Sequence, residues 1–375
     1  MGLADSPSMN VTLMVPTLNR PDFIRRLIRY YADNKFTGRL LIGDSSSPEK
    51  AALCRAAATE SVGRLDVRYV DLGGLDSNGS MVALVALVDT PYVAYIGDDD
   101  FIIPAALAEC IDFLNAHSDY ISACGTARNF ELREDGAFGD GVMKGPYQLR
   151  SIEADSPMDR LAWLLFEYTP MIFSVHRAEA WKIMWAETGR IPDRSFGAEL
   201  LPCCLSAVLG KSKQLDCLYL MRQTHGGTYH LPGFLDWIGD AGWAPSFRIF
   251  VETLTDHIVA RCDLPRDAVT KNVKGLFHYY LYADRNAWGH KIRRFYKQVY
   301  YRFLPTWNRL QTEHPGLSAA ARWANRAARR GYRFFMSPTE GIEPRLATLW
   351  VRARDRLLPR NRRALKGIKN SLANK

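Results

Sequence analysis

The chain predicts an α/β fold, a mostly parallel sheet with flanking helices, followed by a helical C-terminal extension. Three observations carry that prediction. Short apolar runs alternate with amphipathic stretches through the first third of the 375 residues, which is the pattern of repeated βα units. Those runs are nearly all apolar, as strands buried on both faces require. From about Pro245 onward the spacing becomes helical, with aromatic residues throughout.

Val11-Thr-Leu-Met-Val15 opens the sheet as a buried strand. Pro21 starts a helix in which Phe23, Ile24, Leu27, Ile28 and Tyr31 recur at three- and four-residue spacing, leaving the other face to Arg25, Arg26 and Arg29. Leu40-Leu-Ile42 is the second strand. Ser47 then reads as an N-cap with Pro48 at the first helical position. Val67 to Val70 forms a third strand, and the Gly-rich stretch Gly73 to Gly79 leads into a helix over Met81 to Val88. The fourth strand, Tyr92 to Ile96, runs into Gly97-Asp98-Asp99-Asp100, and a helix covers Pro104 to Ala116. Strands at Ile121 to Gly125 and Arg128 to Leu132 break the alternation, and Arg133 to Gly145 is a polar Gly-rich loop, a hairpin or lid. Further on, Met171 to Val175 reads as a strand, Ala178 to Glu187 and Glu199 to Leu209 as helices, and Leu215 to Met221 as a strand ending at Arg222-Gln-Thr-His225.

A chain of this length, 47% hydrophobic, builds a core without metal or disulfide staples. Seven cysteines, odd in number and without CxxC spacing, indicate buried thiols in a reducing compartment. The start MGLADSPSMN lacks a basic segment followed by an apolar one, and no stretch approaches the roughly 20 apolar residues that span a bilayer. A cytoplasmic location is expected. GxSxG, GxxxxGK[ST], HExxH and a GxGxxG after the first strand are all absent, which removes the common hydrolase, P-loop, zincin and dinucleotide templates.

In sheets of this kind ligands bind beyond the carboxyl ends of the strands, where Pro16 to Arg20, Asp44 and Asp98 to Asp100 fall. Three adjacent carboxylates cannot all stay ionised unless a cation neutralises them. A divalent metal, Mn²⁺ or Mg²⁺, is one solution; an acidic turn capping the next helix is the other. Asp44 has two readings as well, as an acceptor for a ligand or as the cap of the turn Ser45 to Ser47.

Val11-Thr-Leu-Met-Val-Pro-Thr-Leu-Asn-Arg-Pro21, Leu41-Ile-Gly-Asp-Ser-Ser46 and Thr90-Pro-Tyr-Val-Ala-Tyr-Ile-Gly-Asp-Asp-Asp-Phe-Ile-Ile-Pro104 together resemble the family 2 glycosyltransferases of the GT-A, Rossmann-like fold, over about residues 10–225. The resemblance implies a metal-dependent, inverting transfer of sugar from a nucleotide donor. It implies that Pro16, Thr17, Asn19, Arg20, Asp44 and Asp98 line the nucleotide site. A pyrimidine N3–H suits the Asp44 carboxylate, which favours a UDP-sugar. Asp99 and Asp100 would hold the metal, with Gly97 standing where many relatives carry the first acid. Glu199 would be the base, with Asp193 as the local alternative and a plain helix N-terminal acid as the structural one. Arg222 would steady the phosphates and His225 complete the metal site, with His230 as competitor. Cys203-Cys204, among apolar neighbours, reads as core.

The net charge of +9 conceals a division: His290 to Lys375 holds 21 Lys and Arg against 4 Asp and Glu, whereas residues 1–289 hold 28 against 36. Leu346, Leu349, Trp350, Ala353 and Leu357 recur at helical spacing among arginines, a pattern for an anionic membrane surface or a protein interface, including a homo-oligomer. Three segments are expected: 8–240, the transferase domain; 241–340, a helical aromatic and basic region; and 341–375, a basic amphipathic tail. Membrane attachment would suit a glycan or lipid-linked acceptor in surface-polysaccharide synthesis, at the inner face of the membrane. The alternatives are a sugar nucleotidyltransferase and a protein that binds nucleic acid through the basic aromatic tail; nucleic acid is not the expected partner.

Overall fold

The computed structural model describes residues 9–227 and 234–283. The tail at 341–375, most of the segment 241–340 that lies beyond 283, and His230 fall outside the described residues.

Nine strands form one sheet: β1 (Val11–Thr17), β2 (Arg39–Asp44), β3 (Asp66–Asp71), β4 (Tyr92–Tyr95), β5 (Phe101–Ile102), β6 (Tyr120–Leu132), β7 (Gly141–Tyr147), β8 (Val175–Arg177) and β9 (Lys211–Gln223). Their order is β3-β2-β1-β4-β8-β6-β9-β5, with β7 paired to β6. The block β3-β2-β1-β4 is parallel, β8 inserts antiparallel beside β4, and β6 and β9 run parallel to each other. Thus the α/β architecture with a mostly parallel sheet is as expected. Val11, Leu13, Met14, Val15, Leu40, Leu41 and Ile42 are fully buried, because helices cover both faces of β1 and β2.

The helices are α1 (Pro21–Asp33), α2 (Pro48–Glu60), α3 (Ser77–Ala86), α4 (Pro104–Ala116), α5 (Pro157–Phe166), α6 (Ala178–Trp185), α7 (Leu201–Leu209), α8 (Phe234–Gly239), α9 (Trp243–Val259) and α10 (Arg266–Ala283). Proline occupies the first helical turn of α1, α2 and α4, where its missing N–H costs nothing. Helix α5 was not foreseen, although Ser156 and Pro157 repeat the Ser-Pro start of α2. The Ser156 hydroxyl accepts from the Asp159 backbone N–H at 3.0 Å, a cap that stabilises by about 1 kcal/mol.

Four local readings change. The two strands expected between Ile121 and Leu132 are one continuous strand, β6, whose register shifts against β9 absorb the interruption. Of the two readings of Arg133 to Gly145 the hairpin holds, but its second arm is already strand from Gly141, where β7 pairs antiparallel with β6. Met171 to Phe173 is a 3-10 turn following Pro170, and the strand beyond it begins only at Val175. Arg26, placed on the solvent face of α1 by its charge, is fully buried. Position 26 lies at helical spacing from Phe23 and Tyr30, so geometry overrides polarity and the guanidinium must find partners inside.

The described residues up to Tyr280 belong to one compact unit. An aromatic cluster packs α8, α9 and α10 onto the segment before α7: Phe196 lies 5.1 Å from Trp237, 5.4 Å from Phe250 and 5.5 Å from Phe277, between ring centroids. Among the described residues no helix is long and apolar enough to cross a membrane.

Arg160 of α5 fastens the far end of α7. Its Nε and Nη2 donate to the carbonyls of Ala207 and Val208 at 2.6 and 2.9 Å, and its Nη1 to those of Ala154 and Asp155. A cation here satisfies the carbonyls that a helix C-terminus leaves unpaired and opposes its dipole. Arg160→Met should therefore lower the unfolding free energy by about 2–3 kcal/mol in urea denaturation; an unchanged midpoint would show that the capping contributes nothing.

Candidate functional site

The acidic turn follows directly from the sheet. β4 ends at Tyr95, the Ile96 N–H donates to the Met14 carbonyl, and the Asp100 N–H donates back to the Gly97 carbonyl at 3.2 Å, which closes a turn bearing all three carboxylates. A Cβ on Gly97 would lie 2.7 Å from Asp99 Oδ1, so the residue that departs from the family pattern makes room for the carboxylate beside it. Asp98 and Asp100 are buried, at 5% and 1% exposure.

Protein cations and dipoles balance this charge. Asp98 accepts from the Thr17 hydroxyl at 2.6 Å and from Arg20 Nη1 at 3.0 Å; the same Nη1 lies 3.0 Å from Asp99. Asp99 also accepts from His225 Nε2 at 2.8 Å, while the Gly227 N–H donates to Nδ1, so the ring proton sits on Nε2. Asp100 accepts from the Gln223 backbone N–H at 3.0 Å and from Arg222 Nε at 3.1 Å. Beneath them, Arg26 donates to the carbonyls of Asp99 and Ala137 and to Gln223 Oε1, with its guanidinium against the rings of Phe23 and Phe101. Burial, reinforced by the charge of Asp99, pushes Asp98 up to about 6, and burial pushes Asp100 up to about 7. Burial pulls Asp99 the same way, but His225 and Arg20 outweigh it and hold this carboxyl below its ordinary value. Of the three, Asp99 is the one held firmly as an anion.

The groups expected to contact a nucleotide divide. Arg20 and Asp98 meet the triplet, as does Thr17. Asn19 does something else: at φ 59, a left-handed conformation that Asn tolerates, it ties two loops together. Its N–H donates to Ser46 Oγ, and its Oδ1 accepts from the Ser47 N–H. Pro16 lies within β1, beside Gly43 of β2. Asp44 takes the turn-capping option: it is fully buried, its Oδ1 accepts from the Ser46 N–H at 2.8 Å and its Oδ2 from the Tyr69 hydroxyl at 2.9 Å. Asp44 is not among the residues that wall the adjoining space.

That space is a cavity of about 570 Å³ beyond the carboxyl ends of β2 and β3, walled by Ser45 to Pro48, the first turns of α2, and Asp71, Gly73 and Gly74. Asp71, paired in register with Asp44, carries its exposed carboxylate 2.7 Å from Arg55 Nη2. A smaller cavity, about 330 Å³, opens at the opposite ends of the same strands, around Phe36 to Gly38 and Gly63 to Asp66, away from the acidic turn.

Glu199 comes from the other side. Pro202 has no N–H to give the Ala198 carbonyl and its ring would collide with it, so the chain widens into a π turn, Phe196–Leu200, before α7 begins. Half-buried there, Glu199 accepts from the Tyr168 hydroxyl at 3.0 Å. Burial raises its pKa against the opposing hydrogen bond and the charges of Arg222 and Arg194. Arg222 lies between the rings of Tyr147 and Phe173, 4.5 and 4.6 Å from their centroids, and joins the neighbourhood of Glu199 to that of Asp100. Asp193 is a structural cap: its carboxylate accepts from the Phe196 N–H and from Trp237 Nε1. Cys203 and Cys204 are fully buried core residues.

Among the described residues no group of three or more His, Cys, Asp or Glu side chains is arranged to hold a metal ion. Both oxygens of Asp98 and of Asp100 already accept hydrogen bonds. Asp99 and His225 are oxygen and nitrogen groups of the kind Mn²⁺ accepts, although His225 would first have to give up the Nε2 proton that it directs at Asp99. Such a pair fits an ion that takes its remaining ligands from phosphate and water.

Sequence reading missed Arg26, Tyr168, Arg55 and Asp71. The first had a signal, a cation on an apolar stripe. Arg26→Met should cost about 3–5 kcal/mol in urea denaturation, because it strips a buried charge from three acceptors and from the acidic turn; Arg26→Lys should fall between it and the parent.

Residues 12–159 match the family described as Glycosyl transferase family 2. No curated protein matches the sequence. Among solved structures, the S. aureus TarS fragment 1–349 in complex with UDP-GlcNAc is similar at 15% identity and a TM-score of 0.49, over 72% of each chain. The Pyrobaculum calidifontis mannosyltransferase PcManGT in complex with GDP-Man and Mn²⁺ is similar at 14% identity and a TM-score of 0.41, over 87% of this chain and 82% of that one. The parallel block β1 to β4 and the acidic turn after it both lie within the matched segment, residues 12–159.

Proposed function

We propose that this chain is a family 2 glycosyltransferase that moves a sugar, with inversion at the anomeric carbon, from a UDP-sugar to a hydroxyl of a glycan or lipid-linked acceptor. The observation that carries the reading is the convergence, at one edge of the sheet, of two arginines and His225 on three carboxylates, with Glu199 within the influence of the same Arg222.

Glu199 takes the proton from the acceptor hydroxyl as its oxygen bonds the anomeric carbon. The bond from that carbon to the diphosphate oxygen breaks, and UDP leaves with the electron pair. Arg20 and Arg222 stand where charge gathers on the diphosphate and can exchange carboxylate for phosphate oxygens. A divalent metal held by Asp99 and His225 would add positive charge at the same place. Because Glu199 works deprotonated and burial raises its pKa, transfer is lost as pH falls through a value above the ordinary carboxylate range.

Base recognition falls to the cavity beyond β2 and β3. There Asp71 presents an acceptor beside the Arg55 donors. With the ring N–H facing Asp71 and the adjoining C=O facing Arg55, uracil and guanine fit this pair, whereas in the same pose cytosine and adenine would turn a ring-nitrogen lone pair toward the carboxylate. UDP should bind at least tenfold more tightly than CDP or ADP, about 1.4 kcal/mol, and Asp71→Ala should remove that preference while leaving diphosphate-driven binding. Calorimetric titration with the four nucleoside diphosphates, GDP included, measures this; equal affinities in the parent would refute the base assignment.

Asp99→Ala should abolish Mn²⁺-dependent UDP binding in a thermal-shift assay. Glu199→Gln should retain UDP binding and lower transfer by a factor on the order of 10²–10⁴. Undiminished transfer by Glu199→Gln would remove it as the base.

A further inference from the structure

Among the described residues, the Glu199 carboxylate has one side-chain hydrogen-bond donor, Tyr168, on Oε1. Tyr168 belongs to the short connection between α5 and the 3-10 turn at Met171, and its ring lies 5.2 Å from that of Tyr280 in α10. Phe166, at the end of α5, meets the next ring on the same helix, Tyr279, at 4.8 Å. The π turn that carries Glu199 is gripped in parallel: Phe196, its first residue, is enclosed by Trp237, Phe250 and Phe277 of α8, α9 and α10. Both partners of one hydrogen bond are therefore held by the helices that follow the sheet.

We propose that Tyr168 is a positioning residue for the transfer, fixing Glu199 through Oε1 so that Oε2 is left to take the acceptor proton, and that α10 belongs to the catalytic apparatus because it clamps Tyr168. The proposal rests on Glu199 acting as the base. Its logic is orientational. A half-buried glutamate has three rotatable side-chain bonds, and a base displaced by about 1 Å loses on the order of 10²-fold in rate. The groups facing Glu199 besides Tyr168 are Arg222 from β9, Arg194 from the loop before the π turn, Tyr147 from β7 and Cys203 from α7. The two arginines favour the carboxylate and remain in place when Tyr168 is altered. Loss of the Tyr168 donor removes a bond that is stronger to the charged form, so proton affinity at Glu199 rises.

The test compares the parent, Tyr168→Phe, Tyr280→Leu and Glu199→Gln as full chains. Phenylalanine keeps the ring against Tyr280 and removes only the hydroxyl, so thermal unfolding of Tyr168→Phe should match the parent. Carboxyl ¹³C NMR of glutamate-labelled chains identifies Glu199 as the resonance absent from Glu199→Gln. In Tyr168→Phe that resonance should titrate at higher pH. UDP release should be followed with whichever UDP-hexose or UDP-N-acetylhexosamine most stabilises the parent against heat. It should fall roughly tenfold or more in kcat, with donor KM within about twofold and its acid limb displaced to higher pH. Tyr280→Leu should lower kcat in the same sense without altering donor KM. An unmoved Glu199 resonance together with an unchanged kcat in Tyr168→Phe overturns the proposal. Full turnover by Glu199→Gln overturns instead the assignment of the base on which it rests.

Discussion

Charge balance in the turn after β4 is the constraint on which the rest of this structure depends. Three carboxylates in succession, two of them nearly inaccessible to water, are stable only if positive charge and dipoles arrive from elsewhere in the chain. The donors come from the β1–α1 loop, from α1 and from the end of β9. Arg20 and His225 also tie the glycine loop after β9 to the turn, since Arg20 Nη2 donates to the Gly227 carbonyl. The sheet order brings these segments together: β1 lies beside β4, while β5, immediately after the acidic turn, pairs with β9. Topology here solves an electrostatic problem, and the solution gathers cations where a leaving diphosphate would need them.

What was legible in the sequence is what local pattern encodes. β1, β2 and β4 are apolar on both faces and cannot be mistaken for surface, and the Pro-started helices between them have a steric cause in each case. β6 and β9 were seen only in fragments, because 13-residue strands that bend through register shifts lose the two-residue period on which recognition relies. The acidic turn was legible, and with it the need for positive charge; that the chain's own arginines and His225 meet part of that need was not, because those contacts join residues 78 to 126 positions apart and no window of sequence displays them.

The same reasoning separates Asp44 from Asp71. Both end neighbouring strands in register, and either carboxylate could face a ligand. Each accepts from the backbone N–H two residues on, Ser46 for Asp44 and Gly73 for Asp71, but Asp44 is also capped by the Tyr69 hydroxyl and buried, whereas the glycines after Asp71 bring no side chains to cover it. Glu199 illustrates the opposite situation. Its position at the start of an apolar helix was readable, while the hydroxyl that holds it lies 31 residues earlier.

The π turn at Phe196–Leu200 has a consequence for how this segment tolerates change in length. A π turn accommodates one residue more than a regular α-helical turn, and each residue added to or removed from a helix rotates what precedes it by about 100°. A single deletion between Phe196 and Leu200 would relax the backbone into an ordinary helix and swing either Glu199 away from Tyr168 or Phe196 out of its aromatic enclosure. Substitutions in this stretch are judged by side-chain chemistry, but insertions and deletions are judged by angle, and the permitted number of residues is fixed.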